Sequence, residues 1–170
     1  MKVYFDNAAT TPLRNEVIEL MTQSMLMTFG NPSSTHAFGR SAKSLIETAR
    51  KSVAKHLSCE PQEIIFTSGT TDSINLVASA LGRSDLLEAG DEIIISGLEH
   101  HSNTVPWQML CERLGITLKI IPVLDDGTLD LEIFDQLLSE KTKLVSVNHL
   151  SNAFGTVNNI THICSQARKV

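Results

Sequence analysis

Features that are scarce in this sequence exclude several classes of protein at the outset. No apolar run approaches the length of a membrane-spanning helix, and the N-terminal segment MKVYFDNAATTP lacks the apolar region of a secretion signal. The 14 basic residues are dispersed and the formal net charge is −5, so no basic face is available for nucleic acid or for an anionic membrane surface. We therefore expect a cytoplasmic protein that binds neither nucleic acid nor membrane.

Cysteine is also scarce, and its pattern excludes two further classes. The three cysteines are widely spaced and none has a CxxC partner, so neither a disulfide framework nor a zinc site is indicated (Cys59, Cys111 and Cys164). Each is expected to be a small packing residue rather than a nucleophile. The remaining composition, with 42% hydrophobic and 19% charged residues in a chain of 170, is typical of one globular domain.

Helical and strand patterns alternate along the chain. Two helices are predicted first, one after Pro12 and one around residues 42–57. The elements predicted after them are strand 64–67, helix 71–81, strand 92–96, helix 104–114, strand 117–122, helix 131–138, strand 143–148 and helix 161–169. Because these strands are nearly continuous apolar runs, we expect a mostly parallel sheet with helices on both faces, which is a three-layer α/β/α architecture.

The most informative segment is the turn Ser68-Gly69-Thr70-Thr71, predicted to join a strand to a helix. The first turn of a helix carries N–H groups without intrahelical partners and a partial positive charge, so a phosphate is stabilised there, and threonine hydroxyls add donors. The turn lacks the lysine of a nucleotide P-loop and the GxGxxG spacing of a dinucleotide fold, which counts against ATP and NAD. Such residues also serve as ordinary helix caps, so the turn alone leaves both interpretations open.

Two further polar clusters follow predicted strands, at residues 99–103 and 148–152. Ligands bind at the carboxyl ends of strands in such sheets, so the three clusters are expected to converge. His100 suits stacking on an aromatic ring better than metal binding, because no ligand set at metal spacing accompanies it, and Asn152 can donate to a ring hydroxyl. A phosphate, a stacked ring and a hydroxyl partner together describe pyridoxal phosphate better than a nucleotide, and no metal is expected.

Five segments of the sequence resemble the cysteine desulfurase family, which has the class V aminotransferase fold of pyridoxal-phosphate-dependent (PLP-dependent) fold type I. They are YFDNAATTP (4–12), GNPSSTHAFGRSA (30–42), EIIFTSGTTDSINLVA (63–78), EHHSNTVPWQ (99–108) and NHLSNAFGTV (148–157). The resemblance implies only the N-terminal part of such an enzyme. It implies an arm and first helix at 1–35 and, at 36–170, a partial PLP-binding large domain that is incomplete at its C-terminus.

The resemblance also implies which residues contact the cofactor. Thr70 and Thr71 would contact the phosphate of pyridoxal phosphate, and Asn152 would approach the ring oxygen and the substrate. His100, the first of a histidine pair, would stack on the pyridine ring and would act in catalysis by transferring protons.

Matches on the substrate side lie earlier in the chain. Asn7 with Ala8, and Asn31, occupy segments that line the side of the substrate carboxylate in the family. The family commonly has Glu where this chain has Asp72, and the shorter carboxylate reaches less far. The branch stays open, because GNPSSTHAFGR resembles the iron–sulfur-assembly and nitrogen-fixation branch, whereas EHHSNTVPWQMLCERLG resembles the branch with sulfur-mobilisation enzymes and selenocysteine lyases.

By this resemblance the reaction converts L-cysteine to L-alanine. The sulfur is transferred as a persulfide to an enzyme cysteine and then to an acceptor protein, for iron–sulfur cluster or other sulfur assembly. The family's Schiff-base lysine, its ring-nitrogen aspartate and its catalytic cysteine lie at positions after Val170, and no lysine of this chain has a matching context. We therefore expect the isolated chain to be an inactive fragment and the complete enzyme to be a homodimer.

Two alternatives stay open on the sequence. A selenocysteine lyase or another class V aminotransferase-type enzyme would share nearly all of these residues, and only a C-terminal loop with or without its cysteine would discriminate between them. The second alternative is a non-catalytic truncated binding or dimerisation module. It would dimerise, but it would neither show the colour of bound pyridoxal phosphate nor release sulfide.

Overall fold

Six α-helices and three β-strands form along the chain, and the computed structural model describes all 170 residues. They are α1 (Asn15–Met27), α2 (Ala37–Leu57), α3 (Thr70–Leu81), β1 (Glu92–Ser96), α4 (Val105–Leu114), β2 (Thr117–Ile121), α5 (Leu131–Leu137), β3 (Thr142–Ser146) and α6 (Ile160–Ala167). Two 3₁₀ helices occur at Pro61–Glu63 and His101–Asn103. By packing, the chain divides into two units, Met1–Phe66 and Thr67–Val170. The predicted division into 1–35 and 36–170 stays a prediction.

The first unit contains α1 and α2, and α2 is the longer of the two. Its first turn is capped by His36, whose Nδ1 accepts from the backbone N–H of Gly39 at 3.3 Å, and it ends where Ser58 turns into the left-handed region at φ 55°. Gly39 is required because a Cβ there would lie 2.3 Å from the carbonyl oxygen of Ser34. No helix of the chain combines the length and the hydrophobicity that crossing a membrane would take.

The strand predicted at residues 64–67 is wrong. Ile64 has extended backbone, with φ −86° and ψ 121°, but the sheet contains only β2, β1 and β3. The carbonyl oxygen of Ile64 accepts instead from the guanidinium of Arg50, which also lies over the ring of Phe66 at 5.1 Å from the ring centroid. The apolar residues of this segment favour extended backbone, but a strand also needs a neighbouring backbone to pair with.

The second unit is built around a parallel sheet with strand order β2-β1-β3. Ile93 and Ile95 of the central strand pack on one face against Trp107 of α4, whereas Ile94 packs on the other face against Phe134 of α5. α3 contributes to the first of these clusters and α6 to the second. Each large apolar side chain buried in this way contributes about 1.5–3 kcal/mol. The predicted parallel sheet with helices on both faces is confirmed.

An ion pair ties the strands together at the edge where they begin. Glu92, the first residue of β1, lies with Oε2 at 2.6 Å from Nζ of Lys119 in β2, and both side chains are largely buried. Ser139, just before β3, donates its hydroxyl to the same Oε2 at 2.6 Å. The hydrogen bond from Lys119 is the main cause that lowers the pKa of Glu92, and the bond from Ser139 adds to it. This ion pair lies at the edge of the sheet opposite the one at which the strands end.

Candidate functional site

The three polar clusters singled out in the sequence meet around one cleft at the carboxyl edge of the sheet. The cleft has a volume of about 290 Å³, and it is bordered by Thr70 from α3, by Glu99 and His100 after β1, and by Asn148 and Asn152 after β3. Two of the clusters converge because β1 and β3 are parallel and their carboxyl ends share one edge, whereas Thr70 is brought there by α3, which packs against β1. The predicted contacts of these residues with a ligand stay predictions.

The N-terminus of α3 is open to an anion. Gly69 precedes the helix at φ 157°, a backbone conformation that side chains rarely adopt, and no side chain caps the helix. The first intrahelical bond runs from the N–H of Ser73 to the carbonyl of Gly69 at 3.0 Å, so the N–H groups of residues 70–72 precede the helical ladder. Thr70 and Thr71 are exposed beside them. This donor set fits a phosphate group.

The carboxylate of Asp72 lies in the same helical turn and is held by a local partner. Its Oδ2 accepts from the backbone N–H and from the hydroxyl of Ser68, each at 3.1 Å. Its negative charge interacts favourably with the positive end of the helix dipole. Both donors belong to Ser68, so the carboxylate is hydrogen-bonded to the turn that precedes α3.

The ring of His100 is held at one nitrogen and exposed elsewhere. Nδ1 accepts from the backbone N–H of Ser102 at 3.1 Å and lies 2.9 Å from the Ser102 hydroxyl. Because Nδ1 accepts a hydrogen bond, the proton of the neutral ring sits on Nε2. The ring of His101 is nearly perpendicular to it, at 80°, and lines a second cleft of about 320 Å³, which His100 also borders.

The loop that presents Asn152 is organised by Ser151, a residue to which the sequence assigned no role. Ser151 is 2% exposed, and its hydroxyl accepts from the backbone N–H groups of Ala153 and Phe154 at 3.3 and 3.2 Å. Its backbone N–H donates to the carbonyl of Thr156 at 2.9 Å. The exposed side chain of Asn152 therefore projects from a turn whose neighbouring residue is fixed.

Two other residues without a predicted role, Glu99 and Asn103, connect the segments around the cleft. The Glu99 carboxylate accepts from the backbone N–H of Asn148 at 2.8 Å, from the hydroxyl of Ser96 and from the side-chain amide of Asn103 at 2.7 Å. The only signal in the sequence is that Glu99 and Asn103 stand just after a buried strand. The hydrogen bond to Asn148, 49 residues further along the chain, depends on the tertiary structure.

The predicted substrate-side residues lie in the first unit. Asn7 and Ala8 are exposed in a turn, where the N–H of Ala9 donates to the carbonyl of Asp6 at 3.2 Å. Asn31 is also exposed, and its Oδ1 accepts from the backbone N–H of Ser33 at 2.9 Å. Their roles stay predictions.

Neither of these two clefts is lined by a lysine or a cysteine. Their polar side chains are hydroxyls, amides, two imidazoles and a carboxylate, together with the free N–H groups of the helix. Such a set fits the phosphate and the polar ring substituents of pyridoxal phosphate, but it contains no amine to hold that cofactor covalently. No group of three or more His, Cys, Asp or Glu side chains is placed to hold a metal ion.

The sequence and the structure are both similar to those of known proteins. The family model for class V aminotransferases matches residues 3–170. A probable cysteine desulfurase of Halalkalibacterium halodurans is 40% identical over 169 residues, and a cysteine desulfurase of Enterobacter sp. is 39% identical over 168. Each alignment covers 98% of this chain but 41% of the relative, so the chain spans about two fifths of the curated relatives it matches.

Two solved structures are also similar to this chain. The apo structure of cysteine desulfurase from Thermococcus onnurineus superposes with a TM-score of 0.91 at 36% identity, covering 98% of this chain and 41% of that one. A structure described as SspA in complex with cysteine has a TM-score of 0.87 at 32% identity, with coverages of 98% and 47%.

Proposed function

We propose that this chain forms the N-terminal, cofactor-holding part of a PLP-dependent cysteine desulfurase. The chain belongs to the class V aminotransferase family. One observation carries the proposal. A helix N-terminus with free N–H groups, an exposed imidazole and an exposed side-chain amide, from three separate segments, border the same cleft. The relatives and structures named above support the choice of reaction.

We assign the cofactor contacts as follows. The N–H groups and hydroxyls of Thr70 and Thr71 bind the phosphate dianion, because the helix terminus supplies both donors and positive potential. The face of the His100 ring packs on the pyridine ring, and Nε2 is the nitrogen that can exchange a proton with the substrate. Asn152 donates to the ring oxygen. When bound, pyridoxal phosphate supplies the electron withdrawal that weakens bonds at the α-carbon of an amino acid.

The proposed substrate is L-cysteine, and the proposed products are L-alanine and a persulfide on an enzyme cysteine. Asn7, Ala8 and Asn31 are proposed to line the carboxylate side of the substrate. The complete enzyme is proposed to be a cytoplasmic homodimer that passes its sulfur to an acceptor protein. The relatives named as cysteine desulfurases, and the related structure described as a complex with cysteine, support this choice of substrate.

The 170-residue chain by itself is proposed to be inactive. None of its lysines or cysteines borders the cleft, so no amine is placed to hold the cofactor and no thiol is placed to take the sulfur. Purified chain incubated with pyridoxal phosphate and L-cysteine should therefore release neither alanine nor sulfide.

A chimera tests the proposal directly. Residues 1–170 would replace the matching segment of the Halalkalibacterium halodurans relative, which supplies the remainder of its own chain. We expect the chimera to bind pyridoxal phosphate and to form alanine from L-cysteine. Cofactor binding without alanine formation would contradict the proposed reaction. The unmodified relative is the control.

A further inference from the structure

Glu99 has no assigned contact with cofactor or substrate, yet its carboxylate joins all the segments that present the proposed ring contacts. We propose that Glu99 is a positioning residue, which fixes the 3₁₀ turn carrying His100 relative to the loop carrying Asn152. This inference rests on the proposed function, because it concerns how the two ring contacts are held in place.

The carboxylate of Glu99 accepts hydrogen bonds from three separate segments. Oε1 of Glu99 accepts from the backbone N–H of Asn148 at 2.8 Å and from the hydroxyl of Ser96, the last residue of β1. Oε2 accepts from Nδ2 of Asn103 at 2.7 Å. Hydrogen bonds to an ionised acceptor are roughly twice as strong as neutral ones. One side chain thus ties the end of β1, the start of the loop after β3 and the 3₁₀ helix.

The side-chain amide of Asn103 is fixed in one orientation. Its Oδ1 accepts from the indole N–H of Trp107 at 2.8 Å and from the hydroxyl of Ser146 at 2.7 Å, and the residue is 8% exposed. A flip of the amide would place Nδ2 against the indole N–H, which can only donate, and Oδ1 against the acceptor Oε2 of Glu99. Nδ2 must therefore face Glu99. His100 lies between the two anchored residues, and its carbonyl accepts from the N–H of Asn103 at 2.8 Å.

The segment that leads to the loop carrying Asn152 is also held by hydrogen bonds. Asn148 is held at its backbone by Glu99, and its side-chain amide donates to the carbonyl of Leu98 at 2.7 Å. The side-chain amide of Asn158 donates to the carbonyl of Asn148 at 2.9 Å. The segment that leads to Asn152 is therefore fixed to the segment that leads to His100. Both attachments run through the residues on either side of the Leu98–Glu99 peptide bond.

A neutral side chain of the same size cannot keep these contacts. In the Glu99→Gln variant, the remaining oxygen keeps its donors Asn148 and Ser96 only if the new amide group faces the donating Nδ2 of Asn103. Two donors then oppose each other, and the turn that carries His100 is expected to loosen. The matched control is Glu112→Gln, which removes the same charge from an exposed position on α4.

The test uses the 170-residue chain without ligand and measures the tautomer of His100 by long-range ¹H–¹⁵N NMR. The signal is assigned by its absence from a His100→Asn variant. In the wild type we expect one tautomer, with the proton on Nε2. In Glu99→Gln we expect both tautomers and a shifted indole N–H signal of Trp107, the only tryptophan, while thermal unfolding stays cooperative. Glu112→Gln should leave both signals unchanged.

A folded Glu99→Gln variant with an unchanged His100 tautomer would overturn the inference. If that variant does not fold, Ser96→Ala removes one donor from the carboxylate, and it should give the same change at His100 to a smaller extent. No change in this second variant would also overturn it.

Equilibrium dialysis against pyridoxal phosphate separates this inference from the proposed function. We expect Glu99→Gln to bind about tenfold more weakly than the wild type. If the wild-type chain binds no pyridoxal phosphate, the non-covalent contacts proposed for Thr70, Thr71, His100 and Asn152 are not sufficient to hold the cofactor. The His100 spectrum still decides the role of Glu99.

Discussion

Lys119 and Glu92 form an ion pair, 2.6 Å from Nζ to Oε2, between the two strands that begin at the edge of the sheet opposite the cleft. Nζ of Lys119 also donates to the carbonyl of Leu137 at 2.8 Å, at the end of α5. The pair therefore fastens β1 to β2 and to a helix on one face. Because both side chains are largely buried, solvent screens this pair less than it screens an exposed surface pair.

The first prediction concerns pH. The pKa of Glu92 is lowered in the folded chain, chiefly by the hydrogen bond from Lys119, so the stability it contributes is present above the ordinary carboxyl pKa and is lost as the pH falls through the lowered value. Glu92→Gln should cost about 1.5–3 kcal/mol in the free energy of unfolding by urea at pH 7. The difference from the wild type should shrink toward low pH. A Glu140→Gln variant, changed at an exposed position, should show no such pH dependence.

The second prediction concerns Gly69. Gly69→Ala should destabilise the chain by about 1–3 kcal/mol, because φ 157° is strained for any side chain although the space around it is open. It should also weaken binding of pyridoxal phosphate in the chimera, since the strain distorts the N-terminus of α3. Gly90→Ala is the matched control, with φ 92° and equally open space. If both variants lose cofactor affinity equally, the N-terminus of α3 does not bind the phosphate.

The third prediction separates the two adjacent histidines. His100→Asn in the chimera should lower kcat by about 10²–10⁴-fold, the range for loss of a proton-transferring group, and should weaken cofactor binding. His101→Asn should leave kcat nearly unchanged, because only His100 borders the cleft shared with Thr70 and Asn152. Steady-state kinetics with alanine detection measures both variants. Equal losses in the two would contradict the assignment of His100.

The fourth prediction concerns the loop after β3. Ser151→Ala should cost about 1–3 kcal/mol of stability, because the N–H groups of Ala153 and Phe154 lose their acceptor. In the chimera it should also weaken cofactor binding, since the loop that presents Asn152 is no longer fixed. Ser165→Ala, at an exposed position of α6, is the control. Unchanged affinity in a destabilised Ser151→Ala variant would show that the loop conformation does not govern cofactor binding.

The sequence by itself determined the elements and the residue types at the strand ends. Runs such as Ile93–Ile95 are apolar because a central parallel strand is covered on both faces, and this local pattern predicts β1 and the helices that pack on it. The same reasoning failed at residues 64–67, because apolar β-branched residues favour extended backbone but do not supply a partner strand. It also placed the pair that begins with His100 at the carboxyl edge, as parallel topology requires, whereas the Ser-Gly-Thr-Thr turn reaches that edge through α3 and not through a strand.

Only the tertiary structure decided which side chains hold that edge together. Ser146 and Asn103 are 43 residues apart in the chain, and Glu99 and Asn148 are 49 apart, yet each pair is joined by a hydrogen bond. Local periodicity reports the burial of neighbouring residues, whereas a hydrogen bond between distant residues depends on the register and packing of whole strands. The hydrogen bonds that join Glu99 and Asn103 to Asn148 and Ser146 therefore form only when β1 and β3 lie side by side.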